Sequence, residues 1–146
     1  MQFVVGYSVI PDSAFAGRQS FDFTIEQAGR QDPCDFVLPF STARHNQQVL
    51  RDSVSSIVGD KTKIFGGGAG GIITNEIFGY AGDQVGVACV WLDGVACDVF
   101  SEPGLLESEE ETGNRLGQRL LEAGVHQNSP VMLFYDAVDR SDQGVR

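Results

Sequence analysis

The sequence predicts an α/β fold: a mixed β-sheet flanked by helices, with a β-hairpin after a glycine-rich strand–loop–strand. Three observations carry that expectation. Helical stripes alternate with short apolar runs as far as Phe65. Beyond Phe65, strand-like runs succeed one another with no helix between them. Val85–Leu92 is apolar on both faces of its alternation, as a central strand covered on both sides must be. The expected order is β-α-β-α-β-β-β-β-α-β within one domain spanning residues 1–146.

Each element has a local cause. Phe3, Val4, Val5, Tyr7 and Val9 form a β-rich run that ends at Pro11. Pro11-Asp12-Ser13 supplies helix-start chemistry, Ala14, Gly17, Phe21, Ile25 and Ala28 fall near one helical face, and Gly29 closes the helix. Phe15 and Phe23 lie off that stripe. Asp35–Phe40 reads as a short buried strand, with Pro39 expected at a strand end or edge because it cannot donate to a ladder. Leu50, Val54, Ile57 and Val58 mark a second helix ending at Gly59. Asp93-Gly94 is a two-residue hairpin signal that would return the chain as a strand over Val95–Ser101. Ser108 three residues before Glu111 has capping-box spacing, so the acidic cluster Glu107–Glu111 opens a helix rather than binding metal. That helix carries Leu116, Leu120 and Leu121 and stops at Gly124; Gly113 and Gly117 within it suit close approach to the sheet. Val131–Tyr135 reads as a last buried strand. Asp136–Asp139 comes after it where a crossover helix is due, so the chain reads as part of a longer protein.

The stretch Ile64–Asn75 needs its own explanation, because five of the six residues from Gly66 to Gly71 are glycine. Glycine costs backbone entropy and fills no core, so such a run calls for a steric reason. Gly66, Gly68 and Gly71 match G-x-G-x-x-G, but that fingerprint needs a helix to begin at the glycines. Ile72-Ile73-Thr74-Asn75 is a poor helix start, and no Gly-Lys-Ser/Thr comes next to make a P-loop. A strand that opens into bare backbone and resumes as a strand is expected instead. The polar stretch Ser41-Thr42-Ala43-Arg44-His45-Asn46 succeeds the preceding strand, at the end where α/β sheets gather ligands. Ser41, Thr42 or Asn46 could equally cap the next helix. The candidate ligand-binding set is Gly67, Gly68, Gly70, Asn75, Ser41, Thr42, Arg44 and His45. In the competing structural reading, the glycines only permit tight sheet packing.

Bulk properties exclude several classes. With 10 basic and 20 acidic side chains the chain carries a net charge of −10, which repels nucleic acid and anionic membrane. No apolar run approaches the roughly 18 residues of a spanning helix, and the N-terminus lacks a secretory pattern, so a cytoplasmic protein is expected. Cys34, Cys89 and Cys97 are odd in number and show no C-x-x-C spacing, so three free thiols are expected, with Cys34 remote from the other two. No nucleophile–base–orienter set declares itself; Ser41 and His45 lack a G-x-S-x-G elbow. The residues predict no enzyme, cofactor or metal site.

Gly6-Tyr7-Ser8, the Asp12–Gly29 helix, Cys34–Ser41, Phe65–Asn75, Gly79-Tyr80 and Gln84–Ala88 resemble the N-terminal part of a FIST domain. The glycine segment is the most specific part. The resemblance implies a sensory module of prokaryotic signal transduction that binds small ligands, such as amino acids. It also implies signalling partners such as chemoreceptor or kinase components, and a second, C-terminal half with no counterpart in this chain. A protein–protein scaffold without ligand is the alternative; a nucleotide-dependent enzyme fits less well.

Overall fold

The computed structural model describes residues 1–135. The described residues divide into two compact units, Met1–Val99 and a second that begins at Phe100. The first holds the sheet. Its elements run β1 (Gln2–Ser8), α1 (Ser13–Ala28), β2 (Phe36–Ser41), α2 (Gln47–Val58), β3 (Lys63–Ile64), β4 (Gly67–Gly68), β5 (Ile72–Ile73), β6 (Phe78–Gly79) and β7 (Val85–Trp91). The main sheet has the order β1-β7-β2-β3, with β4 also paired to β2, while β5 and β6 make a separate hairpin. The fold is α/β with a mixed sheet: β7 runs antiparallel to β1 and β2, and β3 and β4 run parallel to β2.

All seven residues of β7 are buried, as the two-sided apolar pattern predicts. Val85, Val87, Cys89 and Trp91 share one core with Val37, Ala16 and Phe21 of α1, and Leu50 and Val54 of α2. Helices α1 and α2 therefore cover one face of the sheet. The helix caps match the sequence closely. Asp12 accepts from the Phe15 amide and Asn46 from the Val49 amide, and Gly29 closes α1 at φ 64°. The buried stripe of α1 is rotated from the apolar positions and includes Ser20 and Thr24. Its reason lies in β1. A Cβ on Gly6 would sit 1.9 Å from the Ser20 carbonyl oxygen, so the bare glycine lets helix and strand backbones close up. At that distance only small side chains fit, and the Thr24 hydroxyl stays satisfied by donating to the Val87 carbonyl at 2.8 Å.

Several expectations are corrected. The Asp93-Gly94 turn forms with positive φ at both residues, but no strand returns over Val95–Ser101. Both edges of β7 are already taken by β1 and β2, which leaves a returning strand nowhere to pair. Pro39 lies inside β2 rather than at its end. Alternate residues of β2 aim their backbone groups to opposite sides. Thr42 pairs with Gln84 of the β7 side, while the carbonyls of Asp35, Val37 and Ser41 accept from Lys63, Phe65 and Ala69. Pro39 shares the second orientation, so its missing N–H faces the edge, where the ladder is interrupted between β3 and β4.

In the second unit, α3 (Glu109–Glu122) starts on Ser108, whose hydroxyl accepts from the Glu111 amide at 3.2 Å. Among the described residues nothing lies within 4 Å of a Cβ placed on Gly113 or Gly117, so neither glycine serves close packing there. Val131–Tyr135 is exposed and forms no strand, because an apolar run becomes one only where an edge takes up its ladder. Asp136–Asp139 lies outside the described residues.

Two expected outcomes concern stability. A Cβ on Gly66 would fall 1.8 Å from the Pro39 carbonyl oxygen, so Gly66→Ala should destabilise by roughly 1–3 kcal/mol in urea unfolding. Gly67→Ala meets open space and should be neutral or stabilising by up to about 1 kcal/mol. The second concerns acid. Asp93 accepts from the Met1 ammonium at 2.6 Å and from Arg30 at 3.0 Å, and Arg30 also grips Asp32. These contacts hold both carboxyls below the usual carboxylate range: the Met1 ammonium leads for Asp93, and Arg30 for Asp32. A depressed carboxyl stabilises the fold above its unfolded pKa, and that contribution fades as pH falls through the folded pKa. Asp93→Asn should leave the thermal midpoint flat from neutrality to mildly acid pH, and weaken its fall below about pH 4.

Candidate functional site

Lys63–Ala69 is one edge segment laid parallel along β2. The amides of Lys63, Phe65 and Ala69 donate to Asp35, Val37 and Ser41 at 3.0, 3.0 and 2.8 Å. Register fixes the rest: Gly67 lies opposite Phe40, and Gly68 opposite Ser41. The carboxyl ends of β2 and β4 thus open at the same end of the sheet, which places Ser41 beside the glycines. The residues between are Gly68, exposed on the edge, and Gln47, the first residue of α2. Gln47 Nε2 donates to Ser41 Oγ at 2.7 Å and lies 3.9 Å from where a Gly68 Cβ would be.

The glycines of the run fall into two kinds. Gly66 and Gly71 are demanded by sterics, since a Cβ on Gly71 would lie 2.6 Å from the Gly79 carbonyl oxygen. Gly67, Gly68 and Gly70 are not: no residue of the run has a left-handed φ, and a Cβ on these three meets at most an ordinary contact. Folding alone gives them no reason to be glycine. Strand alternation turns the Gly68 N–H and C=O away from β2, toward the open edge.

The other candidates occupy different positions. Ser41 is fully buried. Thr42 is a structural clamp: its hydroxyl donates to the Gly82 carbonyl at 2.5 Å and accepts from the Gln84 amide at 3.1 Å. Arg44 is exposed, with its guanidinium 3.7 Å from Asp83. His45 turns inward, is buried, and sits 3.2 Å from Ser13 Oγ through Nδ1. Ser13 Oγ also accepts from the Asn46 amide at 3.0 Å. Nε2 is buried without a partner among the described residues. Asn75 occupies the β5–β6 turn and makes no hydrogen bond or ion pair among the described residues. Register therefore joins Gly67, Gly68 and Ser41, while Thr42, His45 and Asn75 point elsewhere. Gln47 escaped the sequence reading, because a glutamine at a helix start carries no signal until β4 is known to run beside β2.

On the face opposite α1 and α2, Ala69 and Gly71 of the same run border an apolar groove of about 240 Å³. Its floor is Gly86 and Ala88 of β7, with walls from Phe3 and Val5 on one side and Leu38 and Phe40 on the other. A bare, hydrogen-bonding edge and an apolar slot thus share one stretch of backbone. Among the described residues, no three His, Cys, Asp or Glu side chains cluster to hold a metal ion, and no helix is long and apolar enough to cross a membrane.

The candidate site thus lies at one end of a mixed sheet and is lined by backbone rather than by reactive side chains. The family model of the FIST N domain matches residues 35–145, and the chain belongs to that family. FIST domains are sensory domains of signalling proteins, which gives the chain a general sensory role. No curated protein matches the chain.

The clamp at Thr42 is testable apart from any ligand. Thr42→Val strands the Gly82 carbonyl and the Gln84 amide and should cost roughly 1–3 kcal/mol. Arg44→Ala removes only an exposed ion pair, and its unfolding midpoint should correspond to a change within about 0.5 kcal/mol.

Proposed function

We propose that the chain is the small-ligand-binding module of an intracellular signalling protein, with its ligand held on the Gly67–Gly70 edge. The observation that carries this reading is the pair of unexplained glycines at 67 and 70, with Gly68 between them. Three residues leave backbone bare where the fold has room for side chains. A glycine edge lets a ligand reach main-chain donors and acceptors, and Gln47 and Ser41 stand beside it with polar side chains. The adjoining groove takes an apolar substituent. A free amino acid with an apolar side chain combines both parts, and its polar end would pair with the edge. The ligand-bound state would be read by chemoreceptor- or kinase-type partners in the cytoplasm.

A second reading rests on α1, where Phe15 is 56% and Phe23 44% exposed. Two phenylalanines on an outer helix surface fit a scaffold that meets another protein without any ligand. A thermal-shift screen with a panel of free amino acids separates the two. A ligand at 100 times its dissociation constant should stabilise the chain by about 2.7 kcal/mol. Gly68→Val should fold normally, because the nearest atom to its Cβ is the flexible Gln47 amide, and should weaken binding at least tenfold. Unchanged binding by Gly68→Val would remove the ligand from this edge. A silent screen, with partner capture lost on Phe15→Ser and Phe23→Ser, would favour the scaffold.

A further inference from the structure

The cysteines are free, but two of them are not remote from each other. Cys34 precedes β2, Cys89 is at the middle of β7, and both belong to the core under the helices. Three constraints bring them together. Val37 faces Cys89 in the β2–β7 register. The Asp35 amide donates to the Val90 carbonyl at 2.9 Å, fixing the residue next to each cysteine. The Thr62 hydroxyl donates to the Cys34 carbonyl at 2.9 Å and pins the approach to β2. Both side chains lie in the same buried cluster, where each thiol shifts the ionisation of the other. Cys97 is not part of that cluster.

We propose that Cys34 and Cys89 are a redox-active dithiol, closed to an intramolecular disulfide by a low-molecular-weight disulfide such as oxidised glutathione. The two sulfurs have different parts. Cys34 is 5% exposed and Cys89 is 0% exposed, so Cys34 meets the oxidant. The neighbouring Cys89 thiol holds the Cys34 thiol below its ordinary range, while Cys34 and burial push Cys89 up. The Cys34 thiolate attacks one sulfur of the oxidant, whose S–S bond breaks and releases one small thiol. Cys89, losing its proton, then attacks the Cys34 sulfur of the mixed disulfide and expels the second small thiol. Two electrons pass to the oxidant, and the two thiol protons leave on the two released thiols. The new covalent bond of about 2.05 Å ties the entry of β2 to the central strand.

The test equilibrates the folded chain carrying Cys97→Ser with glutathione redox buffers of rising oxidised fraction. Alkylation under denaturing conditions and intact mass are then read. The expected product loses both alkylatable thiols and gains no glutathione. Removing Cys89 as well should trap glutathione on Cys34, whereas removing Cys34 instead should leave Cys89 unmodified. In the unsubstituted chain, cleavage at Asp93 separates Cys89 from Cys97, and the bridged peptides should join Cys34 to Cys89; this arm needs no variant to fold. Two free thiols under fully oxidised buffer, a glutathione adduct persisting on Cys34 with Cys89 present, or a bridge to Cys97 would each overturn the proposal.

Discussion

Burial of β7 on both faces and both edges is the constraint on which the first unit depends. Its seven residues supply the inner ladder for β1 and for β2, so each neighbour is a strand because β7 is one. Backbone groups this deep have no water to turn to, and the pairing is obligatory rather than merely favourable. The same strand distributes the layers around it. Helices settle where Val85, Val87, Cys89 and Trp91 project, and Gly86 and Ala88 on the reverse leave the shallow apolar groove. The saturation of β7 also explains why a turn with ideal chemistry at Asp93-Gly94 opens no hairpin.

The edge is built by the opposite principle. Pro39 withholds a donor and Gly66 withholds a side chain at facing positions, so the parallel segment can press onto β2 without a continuous ladder. A tight contact at Gly66 gives way at once to bare backbone that nothing presses against. The chain thus carries, within a few residues, glycines imposed by packing and glycines that packing leaves unexplained. Only the second kind says anything about ligands.

Elements whose cause is local were legible in the sequence. Asp12, Asn46 and Ser108 announce helix starts because a cap is a contact between residues two or three apart. The apolar run of β7 announces a central strand because its whole neighbourhood is apolar. Position in a sheet is not local. Nothing near Pro39 tells that its missing N–H will face an edge, and nothing near Cys34 tells that Cys89 will be within reach. The candidate site divides the same way. Gly67, Gly68 and Ser41 meet through one register, whereas Thr42 and His45 are polar residues whose partners, Gly82, Gln84 and Ser13, lie about 30–40 positions away in the chain and have no periodicity to betray them. Ser20 and Thr24 were hidden for a related reason: a glycine in β1 decides what α1 can bury.

The pairing of Gln2 with Trp91 also has a consequence in time. Strand β1 is made before the rest of the sheet, yet its partner among the described strands is made after β2, α1, α2 and the glycine run. At roughly 5–20 residues per second, synthesis leaves β1 waiting several seconds for β7. During that interval α1, β2 and α2 exist without the strand that holds their core. The sheet closes in one late, non-local step, and contacts of such long sequence separation make folding slow. A nascent chain stalled before Val85 would display the apolar side of α1 and α2 to whatever holds unfinished chains.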